Sequence, residues 1–242
     1  MVHQVTVSAR DESDNSEQVA GSRALPCSVA ALYVQASGCY SDLPGVDPWP
    51  ESRDARKYDG PYPVVAHPPC SRWCRLAGLV EARWGHKKGD DGGCFAAALA
   101  AVRKWGGVLE HPAYSDAFAA HGIPSPPAWG WQRTLDGGAV CYVEQGKYGH
   151  EARKATWLYA YGCELPELKW GKMPEGSGLA LVSACGNHTD PNDTRPRIMK
   201  RRASSTPTEF RDMLVAMARS CPPNDQADAP SDEKPSTTEN ND

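Results

Sequence analysis

Apolar residues come in short runs separated by Gly- and Pro-rich links, the pattern of a domain that alternates strands with helices. Ala31-Leu-Tyr-Val34 reads as a first strand, and Val64-Val-Ala66, apolar throughout, as a second that is buried on both faces. From Asp91 to Trp105 the chain is rich in helix formers, with Phe95, Leu99, Val102 and Trp105 spaced to share one face, and Gly106-Gly107 stops it. Val108-Leu109 then starts a strand that runs into Glu110-His-Pro112. Strand, helix and strand with short links predict a βαβ unit, hence parallel pairing and an α/β fold.

Residues 122–138 carry Gly and Pro with the anchors Ile123, Trp129 and Trp131, which reads as an ordered loop. Ala139–Val143 and Ala155–Ala160 are the next strands, joined by the eleven mostly polar residues Glu144–Lys154, a length at which loops carry function. A last helix has Thr206 as N-cap, Pro207 at its first position and Glu209 completing a capping box, with Phe210, Met213, Leu214 and Met217 at helical spacing. There is no internal repeat.

Composition bounds the picture to one domain over residues 24–220, since 242 residues with 40% apolar content and 8 Trp supply one sizeable core. Residues 1–23 lack hydrophobic periodicity, and residues 221–242 are almost free of large apolar side chains, so both ends read as disordered. The net charge of -4 is uneven: the last segment holds six acids and one Lys, the first four acids and two Arg, leaving +3 between them. A mildly basic body is compatible with a nucleic-acid partner. With no apolar stretch of membrane length and no apolar signal core, the expectation is a soluble protein of the cytoplasm, where the nine cysteines would stay reduced.

Pro68-Pro69 stiffens the chain directly in front of Cys70, at the end of the Val64 strand. Strand ends in α/β proteins present reactive groups, so Cys70 is the candidate nucleophile; the alternative is a small apolar residue beside a turn. His67, Cys70, Cys74, His86 and Cys94 lie within 28 positions, but their spacing lacks the second pair of a structural zinc site and the His-x-Glu of a zinc deaminase.

Ala66-His-Pro-Pro-Cys70, Glu110-His-Pro112, and Gly149-His150 followed by Arg153 and Lys154-Ala-Thr156 stand in an order that resembles the DNA cytosine-C5 methyltransferases, and more closely their small phage-encoded relatives. The resemblance covers about residues 45–215. It implies a Rossmann-like, methyltransferase-type sheet with flanking helices in three layers, S-adenosylmethionine as cofactor and DNA as partner. Cys70 would add to C6 of a pyrimidine. Glu110, as a carboxylic acid of raised pKa, would meet the charge at N3, and Arg153 would sit near O2. Asp47 and Asp54 would reach the cofactor's ribose and adenine.

The chain departs from that family in lacking the Gly-rich turn after the first strand, with too few residues between Gly38 and Asp47 for an ordinary helix. His67 and Ser71 stand where the family has Gly and Gln. About forty residues separate Ala160 from the basic stretch Arg195, Arg197, Lys200, Arg201 and Arg202, too few for a large target-recognition domain. That stretch would hold DNA phosphates without reading bases. Two other readings stay open: a non-catalytic DNA- or protein-binding module on the same scaffold, and a metal protein built on His67, Cys70, Cys74 and Cys94.

Overall fold

The computed structural model describes residues 28–74, 77–174, 177, 179–182 and 196–222. The terminal segments 1–23 and 221–242, apart from Cys221 and Pro222, therefore lie outside the described residues, as does Arg195. In chain order the elements are β1 (Val29–Leu32), β2 (Val46–Trp49), β3 (Val64–Ala66), α1 (Ala77–Trp84), α2 (Cys94–Trp105), β4 (Gly107–Pro112) and α3 (Asp116–Ala120). They continue with β5 (Trp131–Arg133), β6 (Ala139–Glu144), β7 (Ala155–Tyr161), β8 (Leu181–Val182), β9 (Arg197–Ile198), α4 (Lys200–Ala203) and α5 (Thr208–Arg219).

Seven strands form one mixed sheet in the order β2-β1-β3-β4-β7-β6-β5. The first four are mutually parallel, while β7 runs against both β4 and β6. Strands β8 and β9 make a separate parallel pair. Side chains alternate between two cores, as the two-residue period of a strand requires. Ala30, Leu32, Val140, Tyr142, Trp157 and Tyr159 meet α2 on one face. Val29, Ala31, Cys141, Val143, Leu158 and Ala160 meet α5 on the other. The result is an α/β domain of three layers.

Helix α2 forms where expected, with Phe95, Leu99, Val102 and Trp105 all buried. Each such side chain contributes roughly 1.5–3 kcal/mol on burial. Asp91 anchors its start, accepting the backbone N–H groups of Gly93 and Phe95 at 2.9 and 2.8 Å and the Trp73 indole at 2.8 Å. Its end turns sharply into β4 at Gly107, whose φ is 117° and where a Cβ would lie 2.0 Å from the Val64 carbonyl oxygen. Only glycine lets the two parallel strands approach there.

Three expectations need correction. The first strand lies two residues earlier, because Tyr33 takes a left-handed φ of 60° and ends it. Strands β2 and β5 gave no sequence signal: β2 contains Pro48, tolerated at an edge, and the β5 residues Gln132 and Arg133 are polar and exposed. The last helix starts at Thr208 without a side-chain cap, since the Glu209 carboxylate goes to the Lys169 ammonium instead of back to the helix end.

Candidate functional site

From β1 the chain passes to β2 on one side and then to β3 on the other, so the strand order reverses at β1. In an open α/β sheet the crevice outside the carboxyl ends of the strands at such a reversal is where ligands bind. Strand β3 delivers His67-Pro-Pro-Cys70 to that edge, and the His67 N–H still bonds the Leu32 carbonyl at 3.1 Å, which fixes the turn to β1. The turn closes when the Trp73 N–H reaches the Cys70 carbonyl at 3.0 Å, with Pro68 and the Trp73 ring buried beneath it. Cys70 itself is exposed.

Beside it lies a buried polar chain. The Glu110 carboxylate, at the end of β4, accepts from His67 Nδ1 at 2.9 Å and from Gln145 Nε2 at 2.9 Å. An ionised carboxylate only accepts, so Nδ1 carries a proton, and His67 Nε2 lies 2.9 Å from the Tyr40 hydroxyl on its other side. Gln145 Nε2 is shared with Thr156 Oγ1 at 3.0 Å, and Thr156 donates to the Lys154 carbonyl at 3.0 Å. Gln145 is wholly buried and its Oε1 has no partner among the described residues.

Glu110 is not the high-pKa acid of the sequence expectation. Burial pushes its pKa up, but the His67 hydrogen bond and the charges of Lys154 and His67 outweigh it and hold the carboxyl down at about 2. His111, next along β4, is buried and edge-on to Phe95 at 5.2 Å. Burial depresses it to about 4, only partly offset by the nearby Glu110 charge.

The structure separates the two neighbouring cations. Arg153 Nε donates to Glu144 Oε2 at 3.2 Å and Nη2 to the Met173 carbonyl at 3.1 Å, which hold it away from Glu110 while part of the guanidinium stays exposed. Burial raises the Glu144 pKa, but bonds from the Tyr142 hydroxyl, the Met173 N–H and Arg153 bring it below the ordinary value. Lys154 instead faces inward, its charge felt by Glu110, Cys39 and Cys70, and burial lowers its pKa. Its ammonium donates to the carbonyls of Ser204 at 3.3 Å and Ser205 at 2.7 Å. Cys70, Glu110 and Lys154 therefore share one edge, while Arg153 turns to the next strand. Sequence reading gave Lys154 and Thr156 no role beyond their place in the Lys154-Ala-Thr156 segment, and missed Tyr40 and Gln145. The alternation of β7 was the available signal: Leu158 pairs directly with Glu110, so Thr156 and Lys154, two and four residues earlier, fall on the face of Glu110 and Arg153 does not.

Segment 197–205 packs against this loop. Arg202 pairs with Glu151, and Arg197 is exposed on β9. Lys200 and Arg201 lie in α4. The predicted phosphate-binding stretch thus adjoins the edge that carries Cys70.

Asp47 and Asp54 are engaged elsewhere. Asp47 accepts the Trp49 indole N–H at 2.8 Å and Arg53 at 2.5 Å. Asp54, at a left-handed φ of 50°, holds Arg56 at 2.7 and 2.9 Å. No helix lies between β1 and β2. Both acids are thus paired with arginines, and the link from β1 to β2 is a turn. The proposed metal set does not gather: among the described residues no three His, Cys, Asp or Glu side chains converge, and Cys74 Sγ meets the Ser71 carbonyl. A cavity of about 430 Å³ lined by Leu43 and Arg219 opens near the amino ends of the strands and shares none of these residues. Comparison with protein-family models, with curated proteins and with solved structures returns no match to this chain.

Proposed function

We propose that the protein modifies a pyrimidine base in DNA through covalent attack by Cys70, on a methyltransferase-type sheet. What carries this reading is that the charge of partly buried Lys154 is felt by both Cys70 and ionised Glu110 at the carboxyl edge where the strand order reverses. A parallel core with its reversal at β1 supports the Rossmann-like arrangement that the motif order implies.

The residues suit the chemistry. Addition of the Cys70 thiolate to C6 puts an electron pair into the ring and spreads negative charge over N3 and O2. Lys154 favours the thiolate beforehand and the ring anion afterwards. As negative charge grows on the ring beside Glu110, the affinity of that carboxylate for a proton rises, and a proton taken up from solvent lets the carboxyl hydrogen-bond N3 while His67 Nδ1 keeps its 2.9 Å contact. The uncharged Tyr40 hydroxyl stays on Nε2 and holds the imidazole in place. C5 of the ring, now enamine-like, is the nucleophile toward whatever electrophile is supplied. The test is mass spectrometry of nucleosides from DNA of cells expressing the wild type or Cys70→Ser: a modified pyrimidine in the first sample alone supports the reading, and its absence from both sinks it.

The engagement of Asp47 and Asp54 with Arg53 and Arg56 favours a second reading, a DNA-binding module that lacks the donor site. S-adenosylmethionine is the donor the motif order implies, and calorimetric titration separates the two: micromolar binding excludes the module, and no heat at millimolar donor favours it.

A further inference from the structure

Past the end of β4 stands Tyr114, an aromatic side chain 51% exposed on a left-handed backbone with φ 64°. That conformation costs a non-glycine residue roughly 1–2 kcal/mol, and such costs concentrate where function requires a particular side chain. The ring is supported from below, 5.6 Å from Trp157 and 6.4 Å from Tyr142. The Tyr142 hydroxyl donates to Glu144 Oε1 at 2.6 Å, and the other Glu144 oxygen takes Arg153, whose side chain is 46% exposed. On its other flank the next residues are tied to the Cys70 turn: the Asp116 N–H reaches the Trp73 carbonyl at 3.0 Å. Tyr114 and Arg153 thus sit on the same carboxyl edge as Cys70.

We propose that Tyr114 and Arg153 form a ledge for an unstacked nucleotide of DNA, the ring stacking on a base and the guanidinium meeting its phosphate. A backed, exposed aromatic face with a cation beside it is how proteins hold bases that have left the helix, whatever their sequence. The inference rests on the DNA-modification reading and adds to it two residues that would hold the strand beside the attacking cysteine.

Fluorescence anisotropy with a fluorescein-labelled 12-nucleotide single strand, and with the same strand made abasic, tests it. Tyr114→Ala should weaken binding to the normal strand about ten-fold, with Tyr114→Phe retaining wild-type affinity and Tyr114→Leu behaving like Ala. On the abasic strand the three variants should match the wild type. Arg153→Ala should flatten the dependence of log affinity on log salt by about 0.7, one single-strand phosphate contact. Unchanged affinity in Tyr114→Ala, or the same loss on the abasic strand, overturns the ledge while wild-type binding keeps the DNA reading intact. A wild type that binds neither strand nor duplex overturns both. Tyr114 lies on the surface, so thermal unfolding of each Tyr114 variant should match the wild type and exclude misfolding as the cause.

Discussion

The two edges of the sheet solve the same geometric problem in opposite ways. At the amino edge the chain re-enters the sheet through glycine, as at Gly107, where a side chain would strike Val64. At the carboxyl edge the four described non-glycine residues with left-handed φ, namely Tyr33, Asp54, Tyr114 and Lys154, hold their side chains in place at a backbone cost. The polar chain Tyr40–His67–Glu110–Gln145–Thr156 also lies at the carboxyl edge. One edge is relaxed and serves folding. The other keeps strained backbone and desolvated charge together, the combination found where chemistry is done.

Substitutions at the two edges should break in different ways. Gly107→Ala, at the relaxed edge, should cost at least ~3 kcal/mol of unfolding free energy in denaturant titration, because both the positive φ and the Val64 contact oppose it. At the strained edge Glu110→Ala should cost about 3–5 kcal/mol, since it leaves the partly buried Lys154 charge and the His67 proton uncompensated. Glu110→Gln, which keeps the shape, should recover part of that stability and none of the activity.

Acid acts next, on two groups of the strained edge. The unfolded chain protonates His111 near the ordinary 6.5 and the folded protein only near 4, so stability falls as pH drops through that interval. Glu110, depressed from 4.5 to about 2, adds stability that is full above 4.5 and lost as pH falls toward 2. Each group contributes on the order of 3 kcal/mol, because every tenfold change in proton affinity between the folded and unfolded chain is worth roughly 1.4 kcal/mol. Chemical denaturation from pH 7 to pH 3 should show both losses, and His111→Leu should remove the upper one alone. The smallest effect belongs to Tyr114→Gly, expected to change stability by less than about 1 kcal/mol, because relief of the left-handed strain offsets the lost ring contacts.

Much of the fold was legible because it is local. Val64–Ala66, the α2 stripe from Phe95 to Trp105 and the runs at Ala139 and Ala155 each declare their period within a few residues. Strand β2 was hidden by Pro48, and the cap of α5 by a partner forty residues away, Lys169. The site was half legible. Cys70 and Glu110 stand at strand ends that apolar runs reveal, whereas Tyr40, Gln145 and Lys154 join them only through long-range pairing. Arg153 and Lys154 are adjacent in sequence and opposite in space, a distinction that composition cannot carry and the β4–β7 register does.

That the carboxyl edge attacks a pyrimidine through Cys70 can be tested without any cofactor. Thiolate addition to C6 makes C5 exchange with solvent, so cytosine DNA incubated with the protein in heavy water and then hydrolysed to nucleosides should gain one mass unit at C5 as the adduct reverses. The account predicts deuterium uptake with the wild type and none with Cys70→Ser; no uptake with the wild type, or equal uptake with both, would contradict it.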